Sequence, residues 1–261
     1  MSHDITDVLR QWPFDPDATM TARVIEGDDG RPLLQVRVDL GVLQMELHGR
    51  PDGALPEGAP SWLDYYEQQA RAHEELNPEG PTYLLGAEDC GQLWREGVQY
   101  YHRYLGFWHL DMFEDCVRDT ARNLRLFRFV REHAGQDQIK LQFDQWRPYV
   151  LMMHTRAKAM PHLAHEDYAQ GLKLIESGIE SIQEFLDEYE QGHRAEECME
   201  LASLEQWREE IIQRDRKAAE SRPESAAGIL RRKLRDAIEA EQFELAAKLR
   251  DELRELQQRE P

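Results

Sequence analysis

The chain has 261 residues and is 41% hydrophobic, which is enough apolar content for one buried core and an appendage. Its formal net charge is -19, with 51 acidic against 32 basic residues, and a field of this sign disfavours direct binding to nucleic acids or anionic membranes. No stretch approaches the roughly 18 apolar residues that a membrane span needs, and the N-terminus does not resemble a signal peptide, so we expect a soluble, cytoplasmic protein.

The three cysteines, Cys90, Cys116 and Cys198, are widely spaced and form no C-x-x-C pair. This pattern supports neither a disulfide framework nor a zinc site built from thiolates. We therefore expect free, partly buried thiols.

The N-terminal region, residues 1–60, is predicted to contain a small antiparallel β-meander. Apolar and polar residues alternate in two of its segments, as they do in strands with one buried face. Gly27 and Gly30 flank two aspartates and predict the first turn, and a loop rich in Pro and Gly follows the meander. The predicted strands are 22–26, 33–38 and 42–48.

From Ser61, which is predicted to be an N-cap, to residue 220 the apolar residues recur at helical spacing. Short breaks separate the helices, which suits antiparallel pairs in a bundle or a helical-repeat array. The predicted fold class is mainly α, with the small meander at the N-terminus and a helical hairpin at the C-terminus, hence α+β overall. The predicted helices are 61–76, 87–105, 111–133, 139–159, 165–191 and 194–219, with breaks at 77–81, Gly106, Gly135, Pro161 and Gly192.

A change in composition separates this helical body from the C-terminal residues. The segment 217–228 has few large apolar residues and contains Pro223, which predicts a mobile tether. Within this segment we assign residues 221–228 to the tether. Residues 226–261 hold 8 basic and 8 acidic residues, so the other 225 residues carry the whole net charge of -19. The C-terminal part is thus electrically different from the body.

Residues 229–258 are predicted to form a hairpin of two amphipathic helices with a turn near 240–242. Apolar residues recur there at spacings of three and four, so each helix has one apolar face. A hairpin this short buries too little apolar area to offset its ordering entropy, so we expect that face to bind another protein. The predicted protein-binding residues are Leu230, Leu234, Ala237, Ile238, Phe243, Ala246, Ala247, Leu249, Leu253 and Leu256.

The hairpin sequence resembles the UVR motif, which is found in the UvrB and UvrC excision-repair proteins, the ClpC-type unfoldase and the McsA-type activator of a protein arginine kinase. The resemblance implies protein contact, usually through packing of two hairpins into a four-helix arrangement. The residues that carry it are Leu230, Leu234 and Ala237, followed by Glu241-x-Phe243-Glu244-x-Ala246-Ala247-x-Leu249-Arg250-Asp251-x-Leu253-x2-Leu256.

The rest of the chain departs from each of these relatives. It has no G-x-x-x-x-G-K-[ST] phosphate loop, no zinc-binding cysteine pairs and nothing that resembles the UvrC nuclease. The resemblance therefore implies only that the hairpin docks on another protein, and none of the other activities of these relatives. The body resembles uncharacterised bacterial proteins that end in this motif. The alternative interpretation is that the hairpin folds back on the body as ordinary core.

The aromatic segment 100–109 could line a ligand pocket, but a core stripe at helical spacing is the favoured interpretation. The stripe consists of Trp94, Val98, Tyr101 and Leu105.

Three arginines and three histidines are further candidates. Arg118, Arg122 and Arg125 fall near one helical face and could hold a phosphate, but pairing with carboxylates such as Asp115 and Asp119 is favoured in so acidic a protein. The histidines include an H-x-x-H pair without Glu-x-x-His partners, which argues against a metal site, and no signature of a catalytic nucleophile is found. These histidines are His154, His162 and His165.

The preferred hypothesis is a non-enzymatic adaptor or scaffold, without cofactor, metal or catalytic residues. Its body recognises one partner, and its hairpin docks on a UVR-like hairpin of another protein or of a second copy. The second hypothesis is a regulatory subunit of a stress-response protease or kinase, or of nucleotide excision repair. The third is an enzyme with its site in the aromatic and histidine-rich body.

Overall fold

The structure of the chain is a computed structural model. It describes residues 4–18, 20–221 and 226–259, without the side chains of 221, 226–228 and 255–259, and most of these residues are helical. It divides into two units, residues 1–212 and 213–261, which we call the body and the C-terminal unit. The mainly α architecture, with a small N-terminal antiparallel sheet and a C-terminal helical hairpin, confirms the predicted fold class. No helix in the described ranges is both long and apolar enough to cross a membrane.

A sheet of three antiparallel strands follows helix α1 (Thr6–Gln11): β1 (Thr21–Glu26), β2 (Pro32–Val38) and β3 (Gly41–Glu46). The central strand β2 pairs Leu34 with Val24 on one side and with Met45 on the other. Gly30, with a φ of +78°, turns the chain between β1 and β2. Leu34, Val36 and Met45 are buried, so the alternating pattern predicted both the meander and its apolar face correctly.

Over the described residues from 62 to 221, seven α-helices follow the sheet: α2 (Trp62–Leu76), α3 (Ala87–His109), α4 (Phe113–His133), α5 (Asp137–Asp144), α6 (Arg147–Ala164), α7 (Tyr168–Glu188) and α8 (Met199–Ser221). Ser61 is the N-cap of α2, as predicted, because its hydroxyl accepts a hydrogen bond from the Asp64 N–H at 3.1 Å. The predicted single helix 139–159 is instead divided between α5 and α6. Pro148 explains the division, because proline is favoured in the first turn of a helix and disrupts a helix interior.

Two residues that were predicted to break helices lie inside them. Gly106 is within α3, where a Cβ atom would approach Leu34 Cδ2 to 2.8 Å and Val36 Cγ2 to 3.1 Å. The glycine is therefore needed for close contact between α3 and β2. Pro161 lies near the end of α6, where its missing N–H removes one backbone hydrogen bond and the helix continues to Ala164.

Helix also covers both ends of the predicted tether. Residues 217–221 belong to α8, and the next helix begins at Ala226. Lysine, alanine and glutamate are good helix formers, which explains why the helix continues despite the shortage of large apolar residues. Pro223 lies outside the described residues.

Three apolar clusters form the core of the body. The first lies between the sheet and α3, α4 and α6, the second among α2 to α6, and the third among α6, α7 and α8. Members with no exposed surface include Leu34 and Phe107 in the first, Leu63, Leu93 and Leu126 in the second, and Ile175, Ile182 and Leu204 in the third.

A fully buried ion pair joins the sheet to α3 and α4. The Arg103 guanidinium donates to both carboxylate oxygens of Asp119, at 2.6 and 2.9 Å. Its third nitrogen donates to the backbone carbonyl of Glu46, at the end of β3, at 2.9 Å. Both charged groups are inaccessible to water, so each depends on the other for solvation.

A second buried carboxylate holds the start of α2. Glu96 on α3 accepts hydrogen bonds from the backbone N–H groups of Trp62 and Leu63, at 2.8 and 3.2 Å. It also pairs with Arg122 on α4 and lies 3.5 Å from Arg50. A negative charge at a helix N-terminus interacts favourably with the helix dipole, so Glu96 acts as a cap supplied from another helix.

Replacing Asp119 with alanine should strongly destabilise the body. The change leaves the Arg103 guanidinium buried without its carboxylate, and breaking a buried pair from one side costs about 3–5 kcal/mol. Urea unfolding followed by circular dichroism measures the change in the free energy of unfolding. Asp115→Ala is the control, because Asp115 pairs with Arg118 in a partly exposed position and its loss should cost less than about 1 kcal/mol. Equal effects would contradict the role assigned to the buried pair.

Candidate functional site

The C-terminal unit ends in a hairpin of two helices, α9 (Ala226–Glu239) and α10 (Phe243–Arg259), which pack against each other. Ala237, Ala246 and Leu249 are buried in the seam between them, and Leu230 and Leu234 pack around these three. The alanines allow the two backbones to approach. A seam with three buried side chains among those described, two of them alanine, provides little hydrophobic stabilisation.

The turn of the hairpin lies where it was predicted, at residues 240–242. Gln242 N–H donates to the Ala237 carbonyl at 2.8 Å and Glu241 N–H to the Ile238 carbonyl at 3.1 Å, which are the two bonds of a Schellman motif. Glu241 has a φ of +55°, a conformation that usually requires glycine. The backbone is therefore strained at this residue.

Three large apolar side chains beside the turn are exposed, and we call them the hairpin tip. Ile238, in the last turn of α9, is 54% exposed; Phe243 and Leu245, in the first turn of α10, are 70% and 45% exposed. Three exposed apolar side chains within residues 238–245 give the turn apolar surface that a partner can cover.

The ten residues predicted to bind a partner occupy three different environments. Some of them are buried in the seam and others lie on the surface of the hairpin. Residues that share the same helical spacing therefore differ in whether a partner can reach them. The side chain of Leu256 lies outside the described part of the chain. Ala237, Ala246 and Leu249 are buried, Leu230, Leu234 and Leu253 are half-buried, and Ile238, Phe243 and Ala247 are exposed.

Leu245 belongs to the hairpin tip, although it is not among the ten predicted protein-binding residues. It stands four residues before Leu249, a spacing that places both on the same side of α10, Leu249 in the seam and Leu245 exposed. That spacing was the available signal.

Comparison with known families agrees with this geometry. Residues 230–259 match the family UVR, the UvrB/uvrC motif. The chain therefore carries a UVR hairpin, as its sequence predicted. No curated protein and no solved structure matches the chain, so the resemblance of the body to bacterial proteins stays a prediction.

The three candidate arginines, Arg118, Arg122 and Arg125 on α4, pair with carboxylates of the body, and the predicted internal pairing is confirmed. Their guanidinium groups are engaged and do not form an open phosphate site. Arg118 pairs with Asp115 and Asp119, Arg122 with Glu96, and Arg125 with Asp64 and Glu67 at 2.6 and 3.2 Å.

The histidines considered as metal ligands are separated by different environments. His154 is largely enclosed and lies 2.9 Å from the Thr120 hydroxyl, and its burial, with a smaller effect from Lys158, lowers its pKa to about 4. His162 pairs with Asp167 at 3.3 Å on the surface. In the described ranges, no three His, Cys, Asp or Glu side chains are grouped to hold a metal ion.

The three cysteines are free thiols, as expected. Cys90 and Cys116 are buried and Cys198 is half-buried. Burial raises the pKa of Cys116 to about 12, so its thiol is protonated at neutral pH and is a poor nucleophile.

The aromatic residues of α3 lie on two sides of the helix. The fully buried side is offset by one residue from the predicted stripe. Of that stripe, Trp94, Tyr101 and Leu105 are half-buried and pack against the core clusters, and Trp94, Val98 and Tyr101 also line a cavity. The buried residues of α3 include Leu93, Glu96, Gly97, Tyr100, Arg103, Tyr104 and Phe107.

Glu241→Gly should stabilise the hairpin. Glycine adopts a positive φ without the steric cost of roughly 1–2 kcal/mol that other residues incur. The acid lies between the negative end of the α9 dipole and the positive end of the α10 dipole, so these two effects of its loss oppose each other. Glycine also makes the unfolded chain more flexible, which opposes folding and reduces the net effect. Thermal unfolding followed by circular dichroism should therefore show a free energy of unfolding that is higher by about 1 kcal/mol. Glu252→Gly, at an exposed position inside α10, is the control and should destabilise by about 1 kcal/mol. A lower midpoint for Glu241→Gly would contradict the left-handed turn.

The stability of the body should decrease as the pH falls from 6.5 towards 4. The pKa of His154 is about 4 in the folded chain against an ordinary value of 6.5, so in this range the unfolded chain binds a proton that the folded chain does not. This group contributes a slope of at most about 1.4 kcal/mol per pH unit. Urea unfolding of wild type and His154→Gln at several pH values measures the difference. His154→Gln should have the shallower slope, the exposed control His165→Gln should match wild type, and identical slopes for all three would contradict the prediction.

Proposed function

We propose that the protein is a cytoplasmic, non-enzymatic adaptor whose UVR hairpin docks on a hairpin of a second polypeptide, either another UVR protein or another copy of this chain. The observation that carries the proposal is the exposed hairpin tip on a hairpin with a very small seam. In this proposal the body holds the other partner.

Burial of the hairpin tip supplies free energy for docking. Complete burial of a Phe, Leu or Ile side chain contributes roughly 1.5–3 kcal/mol. Ile238, Phe243 and Leu245 are each about half exposed or more, so a partner that covers them gains several kcal/mol. A gain of this size offsets part of the rotational and translational freedom that is lost on binding. It also matters for affinity, because about 4 kcal/mol of binding free energy separates a millimolar from a micromolar dissociation constant.

The charge distribution allows two hairpins to meet. Residues 226–261 have equal numbers of acidic and basic side chains, whereas the other 225 residues carry the net charge of -19. Two hairpins therefore attract through apolar contact without net repulsion, while two bodies repel each other. Self-association should strengthen with added salt, because the screening length falls from about 10 Å at 0.1 M to about 3 Å at 1 M.

Phe243→Asp should weaken docking by more than about tenfold. The substitution removes the burial of a phenyl ring and brings an unpaired carboxylate into the contact, and each 1.4 kcal/mol corresponds to a factor of about ten. Sedimentation velocity over a concentration series gives the dissociation constant. It is measured for the full chain alone and for mixtures with purified UvrB or UvrC.

Two further variants separate docking from folding. Leu40→Asp, at an exposed leucine between β2 and β3, is the matched control and should keep the wild-type dissociation constant. Leu249→Asp places the carboxylate in the seam, so the hairpin should lose helical circular dichroism together with docking while the body stays folded. Full affinity of a folded Phe243→Asp chain would overturn the proposal, as would a wild-type chain that binds neither itself nor a UVR protein.

A further inference from the structure

A cavity of about 260 Å³ lies in the body between α3, α4 and the connection from α5 to α6. Two of its lining residues, Val98 on α3 and Trp146 before α6, are 36% and 49% exposed, so solvent reaches the cavity beside them. Its inner wall is formed by buried residues, among them Tyr104, Leu126 and Phe143. The cavity thus has an open mouth and a closed floor.

Aromatic rings form much of the wall. Trp94 meets Phe143 edge to face, with ring centroids 5.3 Å apart and an angle of 86° between the planes. Tyr101 and Tyr149, whose centroids are 6.3 Å apart, line it as well. Ring faces and edges arranged in this way favour a flat aromatic ligand, because aromatic pairs gain energy beyond that of area burial.

The described wall of the cavity carries no charged side chain. Asn123 is already satisfied, because it donates to the Gly97 carbonyl at 3.0 Å and accepts from Arg122 at 3.2 Å. His102 has no hydrogen-bond partner among the described residues, and burial lowers its pKa, so the ring is neutral at pH 7. A neutral imidazole offers one donor and one acceptor to a ligand.

We propose that this cavity binds a neutral, flat, bicyclic aromatic compound with one N–H or O–H group, for which indole is the simplest probe. An apolar cavity of about 150 Å³ holds benzene, so a cavity of about 260 Å³ has room for two fused rings. The uncharged wall disfavours carboxylates and phosphates, because an ion buried without a partner is costly. The ligand hydrogen bond is made to His102. The proposal is independent of docking by the hairpin.

Isothermal titration calorimetry of the full chain with indole tests the proposal. We expect saturable binding at one site. Indole-3-acetate has the same ring with a carboxylate and should bind at least about tenfold more weakly, because its charge would be buried without a partner. N-methylindole lacks the N–H and should bind several-fold more weakly than indole.

Cavity variants locate the site. Val98→Trp fills the mouth from a partly exposed position and should weaken indole binding at least about tenfold. Val24→Trp makes the same change at a valine of β1 that is 43% exposed and outside the cavity, and should leave binding unchanged. His102→Phe should remove the difference between indole and N-methylindole while the affinity for N-methylindole is retained.

Several results would overturn the assignment. They are the absence of saturable heat with indole, equal affinities for indole and indole-3-acetate, and wild-type affinity in Val98→Trp. If the His102→Phe variant still binds indole more tightly than N-methylindole by the wild-type factor, His102 does not recognise the N–H group.

Discussion

The buried pair between Arg103 and Asp119 is the interaction on which the body depends. Two charges can be withdrawn from water here because the guanidinium meets both carboxylate oxygens and the Glu46 carbonyl. These acceptors belong to α4 and to β3, so one side chain of α3 fixes the sheet and the neighbouring helix together. Glu96 stands two turns earlier on the same face and caps α2 through the Trp62 and Leu63 amides. Three elements of the body, β3, α4 and α2, are thus positioned by two charged residues of α3.

This arrangement also accounts for the cavity. With Glu96 and Arg103 turned inward, the buried face of α3 includes Leu93, Tyr100 and Phe107. The adjoining face then carries Trp94 and Tyr101, which pack against the edge of the core, and Val98; all three border the cavity. The charged residues therefore determine the helix orientation, and the helix orientation determines where aromatic rings are accessible to a ligand. Gly106 contributes by allowing α3 to approach Leu34 and Val36 without a side chain between them.

The hairpin differs from the body in the size of its buried core and in its charge. The body has three apolar clusters and buried ion pairs, whereas the described seam of the hairpin buries one leucine and two alanines. Its acidic and basic residues balance over 226–261, while the other 225 residues hold the net charge of -19. A small seam leaves the apolar side chains of the tip at the surface, and neutrality removes the long-range repulsion that two bodies experience. Both properties suit the use of the hairpin as a contact module, in agreement with its match to the UvrB/uvrC motif.

The sequence by itself determined the features that depend on neighbouring residues. Alternation predicted the meander, the Ser61 cap marked the start of α2, and the spacing of apolar residues with the UVR pattern predicted the hairpin and its turn. Only the tertiary structure decided which face of α3 is buried, because charged side chains such as those of Glu96 and Arg103 usually lie on the solvent face of a helix. Their burial depends on partners that are distant in sequence, such as the Trp62 amide and the Glu46 carbonyl. The tertiary structure likewise separated the seam of the hairpin from its tip, because residues with the same helical spacing differ in whether the facing helix covers them.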